Sequence, residues 1–494
     1  MLHIAVDIGA SSGRLVAGKI IHDKLEIQEI YRFSNEFTNR NGTYFWDIDH
    51  LLKEILQGLS IVKSLGYEDC TVGIDTWAVD YALVGSDGKR LQDVVSYRDH
   101  RTDHSIEKVT KIISKEKIYE KTGIQFLQFN TIYQLYEENK ELLNATDKIL
   151  MVPDYLGFRL TGKAVAEVTN ASTMQLMNVE KRTFDSELLE TISVKAEQFG
   201  TLVEPGTVLG TLRNDWFPEF ELPNCKIINI ASHDTASAII GTPGKGVNWA
   251  YLSSGTWSLL GMELDSPIIT EASFKENYTN EWGAFGTYRF LKNIMGMWIL
   301  QEVQRNLPEE ISYEQLIVEA KQVPPYEQLI NFDDDRFLNP KNMIEEIQAY
   351  CLETNQVIPK TAGELAAAVF YNLAIMYAVA IQNLEKIVDE NIELLYIVGG
   401  GSQNEFLNQL TADLSRKTVC SGPVEATAIG NLLMQLISME KITSLEAGRI
   451  LVSKSFEIKQ YQPSPLTSPE VIQRFVELVS KNRSNESGTL KSSS

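Results

Sequence analysis

Residues 3–14 read His-Ile-Ala-Val-Asp-Ile-Gly-Ala-Ser-Ser-Gly-Arg, a strand-like run followed by a turn of small residues. His3–Ile8 is apolar and rich in β-branched side chains, which favours a β-strand. Gly9–Gly13 is typical of a turn, because glycine and serine tolerate backbone conformations that larger residues avoid. The stretch therefore predicts a strand that places Asp7 and Arg14 on either side of a turn.

The pattern of strands continues on the C-terminal side of this turn. Leu15–Ile21 and Lys24–Tyr31 are two further strand-like runs. Asp49–Leu65 has apolar residues at helical spacing, and Cys70–Ile74 is again a short apolar strand. Strands and helices that alternate in this way predict an α/β architecture of stacked layers.

Chain length and a second cluster of strands predict two domains. The chain has 494 residues, and a single core seldom grows beyond about 250–300 residues. Strand signals resume in Tyr251–Leu264, after the turn-rich segment Gly241–Lys245, and helical periodicity dominates Ala362–Val388. The expected parts are an N-terminal domain at residues 1–241, a C-terminal domain at residues 246–460 and a disordered polar tail at residues 481–494.

Composition limits the classes of partner. The formal net charge is −21, and such a surface repels nucleic acid, although a local nest of N–H groups still binds nucleotide phosphates. The four cysteines are far apart, which fits free thiols in a reducing compartment. We see neither a signal peptide nor a run of about 18 apolar residues that would span a membrane. We expect a cytoplasmic monomer or small homo-oligomer that binds neither nucleic acid nor membrane.

Asp7–Arg14 has the residue types of a phosphate-binding turn. The N–H groups and hydroxyls of Ala10–Gly13 would surround phosphate oxygens, and Arg14 would add a fixed cation. Asp7 would hold Mg²⁺ through water, since magnesium keeps much of its hydration shell. A plain β-turn with a surface arginine is the alternative that these residues leave open.

Two turns in the second half have similar composition. In Ser253–Trp257, Thr256 is the natural hydroxyl donor to a phosphate. The strand-like run Leu394–Val398 leads into Gly399–Asn404, whose three glycines would let a ligand touch the backbone. The segment departs from G-x-G-x-x-G because Asn404 stands where the last glycine should be. A hairpin turn and a tight strand–helix turn are the respective alternatives.

Ala231–Thr235 follows an apolar strand and contains a candidate base. Asp234 would lie at the carboxyl edge of a sheet, where α/β proteins bind ligands, and would accept a proton from an attacking hydroxyl. The alternative is that Asp234 caps a helix, a position that aspartate favours. In Asp75–Tyr81, Trp77 would either stack on a sugar or fill the core.

Together these segments resemble the FGGY carbohydrate kinase family, within the sugar kinase, Hsp70 and actin superfamily. The family's order and spacing are kept by VDIGASSGR at residues 6–14, DTWAVDY at 75–81, ASHDTASA at 231–238, LSSGTWSL at 252–259 and IVGGGSQNEFLNQL at 397–410. The resemblance implies a two-domain, ribonuclease H-like α/β fold with the active site in the cleft between the domains. It also implies transfer of the γ-phosphoryl group of ATP, with Mg²⁺, to a sugar.

Matching motifs carry roles over to individual residues. Asp234 would be the general base and Asp7 would hold the metal. The expected nucleotide contacts are Ala10, Ser11, Ser12, Gly13, Arg14, Thr256, Gln301 and Gly400. The expected sugar contacts are Ala78, His233, Asp234, Thr235 and Asn293. Ala78 stands where related enzymes often have glycine, so its methyl group would narrow the sugar site.

Other segments resemble those of the family's ketose kinases, and this resemblance implies a ketose, phosphorylated on its 1-hydroxyl, as the substrate. They include YRDHRTD at residues 97–103 and TGIQFLQFNTIYQL at residues 122–135. L-Rhamnulose is the expected ketose, with L-fuculose and L-xylulose as alternatives. A non-catalytic sugar-sensing module of the same fold is a further alternative, but a sensor has no need of the base Asp234.

Overall fold

The computed structural model describes residues 1–246, 248–255, 257–338, 340–465 and 470–489. These residues form two compact units, each assembled from separate stretches of the chain. Unit 1 comprises Met1–Pro243, Met262–Leu291 and Glu425–Glu457. Unit 2 comprises Gly244–Gly261, Lys292–Val424 and the described part of Ile458–Ser494.

Strands and helices alternate along both units. The strands are β1 Leu2–Ile8, β2 Ser12–Ile21, β3 Lys24–Ser34, β4 Phe37–Arg40, β5 Thr43–Trp46, β6 Asp69–Thr76, β7 Tyr81–Val84, β8 Val94–Val95, β9 Lys148–Met151, β10 Val165–Glu167, β11 Met177–Asn178, β12 Thr183–Phe184, β13 Thr201–Val203, β14 Thr207–Thr211, β15 Asn224–Asn229, β16 Trp249–Ser254, β17 Trp257–Leu264, β18 Thr279–Trp282, β19 Tyr288–Met295, β20 Leu394–Val398, β21 Thr418–Ser421 and β22 Lys459–Tyr461. The helices are α1 Ile48–Ser64, α2 Ser105–Thr110, α3 Lys115–Thr122, α4 Thr131–Tyr136, α5 Lys140–Ala145, α6 Val152–Thr161, α7 Val168–Ala171, α8 Ser186–Thr191, α9 Asp234–Ile240, α10 Glu271–Lys275, α11 Trp298–Asn306, α12 Tyr313–Ala320, α13 Met343–Glu353, α14 Ala362–Val388, α15 Glu405–Ser415, α16 Ala426–Ser438, α17 Leu445–Ser455 and α18 Glu470–Thr489.

The central sheet of unit 1 has the strand order β14-β15-β6-β1-β2-β3. β1 pairs antiparallel with β2 and parallel with β6, and β6 pairs parallel with β15. β1 is buried along nearly its whole length, as expected of a strand covered on both faces. The carboxyl ends of β1, β6 and β15 therefore meet at one edge of the sheet.

Helix α16 covers one face of this sheet with both apolar and polar side chains. The amide of Asn431 donates to a carboxylate oxygen of Asp75 at 2.6 Å and lies 3.1 Å from the carbonyl oxygen of Gly73. The amide of Gln435 donates to the carbonyl oxygen of Ile4 at 2.8 Å. All these groups are buried, so the hydrogen bonds replace the water that the polar atoms lose on folding.

Helices α9 and α16 cross at two glycines. A Cβ atom added at Gly430 would lie 1.8 Å from the carbonyl oxygen of Ser237, and one added at Gly241 would lie 2.1 Å from the carbonyl oxygen of Ala426. Both obstacles are backbone atoms of the facing helix. The crossing therefore needs glycine, and it fixes the start of α9 beside the sheet edge.

Unit 2 repeats the hairpin and parallel strand of unit 1. β16 pairs antiparallel with β17 and parallel with β20, which in turn pairs parallel with β21. β22 closes this side of the sheet in an antiparallel pair. Both units thus contain a strand that pairs antiparallel with the next strand of its hairpin and parallel with a later strand.

Of the described helices, α14 alone is long and apolar enough to cross a membrane, by length and composition. Its most apolar window has a mean hydropathy of 1.7, although the sequence had suggested no such run. That window is 89% buried in the protein, and α11, α12, α15 and α18 pack against the helix. α14 is the core helix of unit 2.

Two sequence expectations on chain organisation need correction. The first continuous stretch of unit 1 ends at Pro243, close to the expected boundary at residue 241, but Met262–Leu291 and Glu425–Glu457 return to unit 1, so neither unit is one continuous stretch. Residues 481–489, expected to be disordered, belong to α18. Residues 490–494 lie outside the described part of the chain.

Replacing Gly430 by alanine tests the helix crossing. We expect Gly430→Ala to lower the free energy of unfolding by about 2 kcal/mol, because its methyl group must displace backbone of α9. Gly448→Ala is the matched control, since a Cβ there would meet only side-chain carbons of Ile442 and Leu433, at 3.2 and 3.3 Å. Urea unfolding of both variants measures the difference, and equal stability would contradict the close contact.

Candidate active site

Three carboxylates meet at the carboxyl edge of the unit 1 sheet. Asp7 ends β1, and Asp75 is its direct partner across the parallel pairing with β6. The N–H of Thr76 donates to the carbonyl oxygen of Ser232 at 3.0 Å, and Thr76 forms a bridge with His233. This pairing places the next residue, Asp234, at the same edge.

Burial and mutual repulsion govern the charge of this cluster. Burial, followed by the charge of Asp7, raises the pKa of Asp75 well above its usual range, although the hydrogen bond from Asn431 opposes the shift. Burial also raises the pKa of Asp234, Asp7 adds to the increase, and His233 opposes it. The edge therefore binds protons, or cations, more readily than isolated aspartates do.

The turn after β1 has a well-defined backbone. The N–H of Gly9 donates to the carbonyl oxygen of Ser12 at 2.9 Å, and Asn35 bonds to both Ser11 and Gly9. Ala10 and Ser11 therefore lie at the tip, and Ser11 is exposed. A Cβ at Gly13 would lie 2.2 Å from the ring of Phe33, so only glycine fits there.

Arg14 is paired with carboxylates on both sides. Its guanidinium lies 2.9 Å from Asp7 and also contacts Glu425. The sequence analysis assigns Arg14 to phosphate and Asp7 to a metal, whereas here the two neutralise each other. Binding of phosphate to Arg14 would have to compete with these carboxylates. Glu425 was missed, because nothing near it in the sequence indicates that it reaches β2.

Asp234 presents one carboxylate oxygen to the protein and the other to solvent. Oδ1 accepts hydrogen bonds from the N–H of Thr235 at 2.5 Å and its hydroxyl at 3.2 Å, and lies 3.4 Å from Nε2 of His233. Among the described residues, Oδ2 accepts none, and the side chain is 34% exposed. His233 is the N-cap residue of α9, and Asp234 is the first residue of the helix.

The loop Thr76–Tyr81 lies next to this residue because Thr76 pairs with His233. Within the loop, Val79 has a φ of 67°, which is strained for a β-branched residue. Asp80 holds the loop by accepting hydrogen bonds from the indoles of Trp46 and Trp77 at 2.6 and 3.0 Å. Trp77 is buried, as the core alternative expects, and Ala78 is half-buried.

Burial raises the pKa of Asp80 to about 6, while its hydrogen-bond donors oppose the shift. Besides the two indoles, these donors are the amide of Gln134 at 3.0 Å and the N–H of Tyr97 at 3.1 Å. Four donors on one buried carboxylate make a rigid support for the loop. Both Gln134 and Tyr97 belong to segments that the family resemblance singled out.

Two carboxylates and a guanidinium behind the base were missed by sequence reasoning. Glu167 is fully buried and accepts hydrogen bonds from the N–H and hydroxyl of Ser232, at 3.0 and 2.8 Å. Arg289 lies 3.2 Å from Nδ1 of His233 and 2.9 Å from Glu281. No local motif marks these residues, because their roles depend on contacts between distant segments.

The remaining candidate residues belong to unit 2. The N–H of Met297, at the start of α11, donates to the carbonyl oxygen of Gly255, and Gly399 and Gly401 lie against Ser254. Gln301 and Gly400 are exposed on these two segments, and Asn293 is half-buried in β19. Thr256 lies outside the described residues. The turn at Ser253–Gly255 thus brings the segments of Gln301 and Gly400 together.

The carboxylates suit a magnesium ion that arrives with phosphates. Mg²⁺ prefers oxygen ligands and is commonly held by one or two carboxylates, waters and substrate phosphates. Asp7 and Asp234 supply such oxygens at one edge. No group of three or more His, Cys, Asp and Glu side chains in the described ranges could hold a metal ion.

Comparison with known proteins identifies the family. The FGGY family of carbohydrate kinases matches with its N-terminal domain over residues 2–241 and its C-terminal domain over residues 250–439. A rhamnulokinase of Bacillus subtilis (strain 168) is 57% identical over 481 residues, 97% of this chain and 99% of that protein. A rhamnulokinase of Ligilactobacillus salivarius (strain UCC118) is 53% identical over 481 residues, with the same coverage of each chain.

Solved structures show the same fold at low identity. A ligand-bound xylulose kinase from Lactobacillus acidophilus has a TM-score of 0.77 at 17% identity, covering 97% of this chain and 96% of that chain. Plasmodium falciparum glycerol kinase with ADP has a TM-score of 0.74 at 15% identity, covering 98% of each chain. The family matches extend over most of the sequence and the fold agrees with them, so the chain belongs to the FGGY family of carbohydrate kinases.

Proposed function

We propose that this chain transfers the γ-phosphoryl group of ATP to the 1-hydroxyl of L-rhamnulose, giving L-rhamnulose 1-phosphate and ADP in L-rhamnose catabolism. The observation that carries the proposal is the arrangement of the Asp234 carboxylate. Its Oδ1 accepts two hydrogen bonds from Thr235 and contacts His233, while its Oδ2 is left for a further donor. Membership of the carbohydrate kinases supplies the reaction class. Rhamnulokinases that are 50–57% identical to this chain favour the sugar.

Asp234 acts as the general base in this proposal. The attacking sugar hydroxyl donates its proton to Oδ2, and the hydroxyl oxygen attacks the γ-phosphorus as the bond to ADP breaks. A base works best when its pKa lies near the working pH. The raised pKa of Asp234 makes it a stronger base than a solvated aspartate.

The sugar and the nucleotide bind on the residues that the family motifs assign. We place the ketose on Ala78, His233, Thr235 and Asn293, together with the base Asp234. We place the ATP phosphates on the turn Ala10–Arg14, and further nucleotide contacts on Thr256, Gln301 and Gly400. Arg14 exchanges its carboxylate partners for phosphate, which guanidinium also binds in a bidentate manner.

Asp7 would hold the magnesium ion that accompanies ATP, and the ion would supply positive charge to the phosphates during transfer. A cation beside Asp7 would also take over the charge that Arg14 provides there. That charge lies near Asp75, whose pKa is raised by burial and by the charge of Asp7.

Asp234→Asn tests the base. The amide keeps the size of the side chain but cannot accept the proton, so we expect kcat to fall on the order of 10²–10⁴-fold, while ATP still binds by calorimetry. Asp215→Asn, at an exposed surface carboxylate, is the matched control and should keep the wild-type kcat. If Asp234→Asn retained more than about a tenth of the wild-type kcat, the loss would be smaller than the loss expected on removing a positioned base. Asp234 would then not be the base.

A panel of ketoses tests the sugar. L-Fuculose differs from L-rhamnulose in the configuration of one hydroxyl, and L-xylulose lacks the terminal methyl group. We expect kcat/KM to be highest for L-rhamnulose, by roughly 10- to 200-fold over L-xylulose, since one methyl group in an apolar pocket contributes that much discrimination. A higher kcat/KM for either alternative in a coupled ADP assay would reassign the substrate and leave the reaction class intact.

Chelation and Asp7→Asn test the metal assignment. We expect EDTA to abolish turnover, and Asp7→Asn to raise the Mg²⁺ concentration for half-maximal activity by about tenfold. Asp87→Asn, on an exposed turn, should leave that concentration unchanged. Activity in EDTA, or an Asp7→Asn enzyme with the wild-type Mg²⁺ dependence, would remove Asp7 from the metal site.

A further inference from the structure

A buried ion pair lies directly behind His233. Glu281 and Arg289 face each other across the β18–β19 hairpin, with Nη1 of Arg289 2.9 Å from Oε2 of Glu281. Arg289 is 1% exposed and also donates to the carbonyl oxygens of Trp282 and Thr169, at 3.1 and 3.2 Å. These contacts leave the guanidinium a single orientation. Its Nη1 and Nη2 lie 3.2 and 3.3 Å from Nδ1 of His233.

This geometry determines which nitrogen of His233 carries the proton. A guanidinium only donates hydrogen bonds, so Nδ1 facing two of its N–H groups must accept. In the neutral ring the proton then resides on Nε2. Glu281 Oε2 lies 3.3 Å from Nδ1, but a proton on Nδ1 would be directed at the guanidinium as well.

Nε2 of His233 lies close to the base. It is 3.4 Å from Oδ1 of Asp234, and this oxygen also accepts hydrogen bonds from the N–H and hydroxyl of Thr235. The two hydrogen bonds and the contact with a polarised Nε2–H group all involve Oδ1, and together they favour one rotation of the carboxylate. They leave Oδ2 as the oxygen with capacity to accept a further proton.

We propose that Arg289 is a positioning residue for phosphoryl transfer, which holds His233 in the Nε2–H tautomer so that His233 orients Asp234. The proposal rests on Asp234 being the base. Glu281 keeps Arg289 charged and in place, because an unpaired buried guanidinium would be costly. Burial alone would raise the pKa of Glu281, but the charge of Arg289 opposes this effect and the pKa is lowered, which keeps the carboxylate ionised.

A purely structural ion pair would make a different prediction. Such a pair would support the β18–β19 hairpin, and its removal would leave the tautomer of His233 unchanged. A positioning residue instead sets the tautomer, and kcat follows the tautomer. The two roles are therefore separated by observing the ring nitrogens directly.

Nitrogen NMR of the full-length chain, labelled on histidine, reads the tautomer without substrate. The chain has six histidines, and the signals of His233 are those missing in His233→Asn. We expect Nδ1 of His233 to be unprotonated and Nε2 protonated in the wild type. A wild-type ring with its proton on Nδ1 would overturn the proposal.

The double variant Arg289→Met/Glu281→Leu removes both charges together, so that neither is left buried and unpaired. We expect a mixture of His233 tautomers and a fall in kcat of about 10- to 100-fold, the range for outer partners of a functional side chain, with KM for ATP unchanged. Arg289→Lys retains a donor and should recover part of both. Lys417→Met/Glu385→Leu removes a part-buried pair in unit 2 and should change neither.

Two outcomes contradict the proposal in folded variants. If the double variant keeps the Nε2–H tautomer, Arg289 does not set it. If kcat falls while the tautomer is unchanged, the pair is only structural. If the double variant fails to fold, the His233 tautomer in the wild type and in Arg289→Lys still tests the proposal. The assignment of Asp234 as the base is tested independently, because an active Asp234→Asn enzyme would contradict it whatever the tautomer of His233.

Discussion

The structure of unit 1 depends on keeping three aspartates together at one edge of a sheet. Asp7, Asp75 and Asp234 lie at or just beyond the ends of three parallel strands. Burial raises the pKa of Asp75 and of Asp234, and the charge of Asp7 adds to both increases. The protein offsets the cost of ionising these groups with positive charge and hydrogen-bond donors. Arg14 pairs with Asp7 on one side, and Asn431 donates to Asp75 from below the sheet.

The need for these stabilising groups explains why unit 1 is assembled from separate stretches of chain. Asn431 and the second partner of Arg14, Glu425, both belong to Glu425–Glu457, and Arg289 belongs to Met262–Leu291. Each inserted stretch thus brings a group that the acidic edge or its base requires. A unit made of the first 243 residues would keep the aspartates but lose these groups.

Local patterns in the sequence predicted the elements and the turns well. The helix Ala362–Val388 and the strand Leu394–Val398 have the bounds that their periodicity indicates, and Asp234 follows a strand end as expected. What the sequence left open was decided by tertiary contacts. Trp77 reads equally well as a ligand platform or a core residue until its bond to Asp80 is seen. Arg289 lacks any local signal, since its partner His233 is 56 residues away.

The return of α16 to the unit 1 sheet has a consequence for synthesis on the ribosome. β1 and β6 emerge long before α16, and until it arrives Asp75 and the carbonyl oxygen of Gly73 lack the amide of Asn431. Until α16 is made, the surface of α9 at Gly241 likewise lacks the helix that packs against it. The N-terminal half must therefore wait, incompletely folded, while most of unit 2 is translated. Chains in that interval expose unpaired polar and apolar surface, the kind of species that chaperones bind.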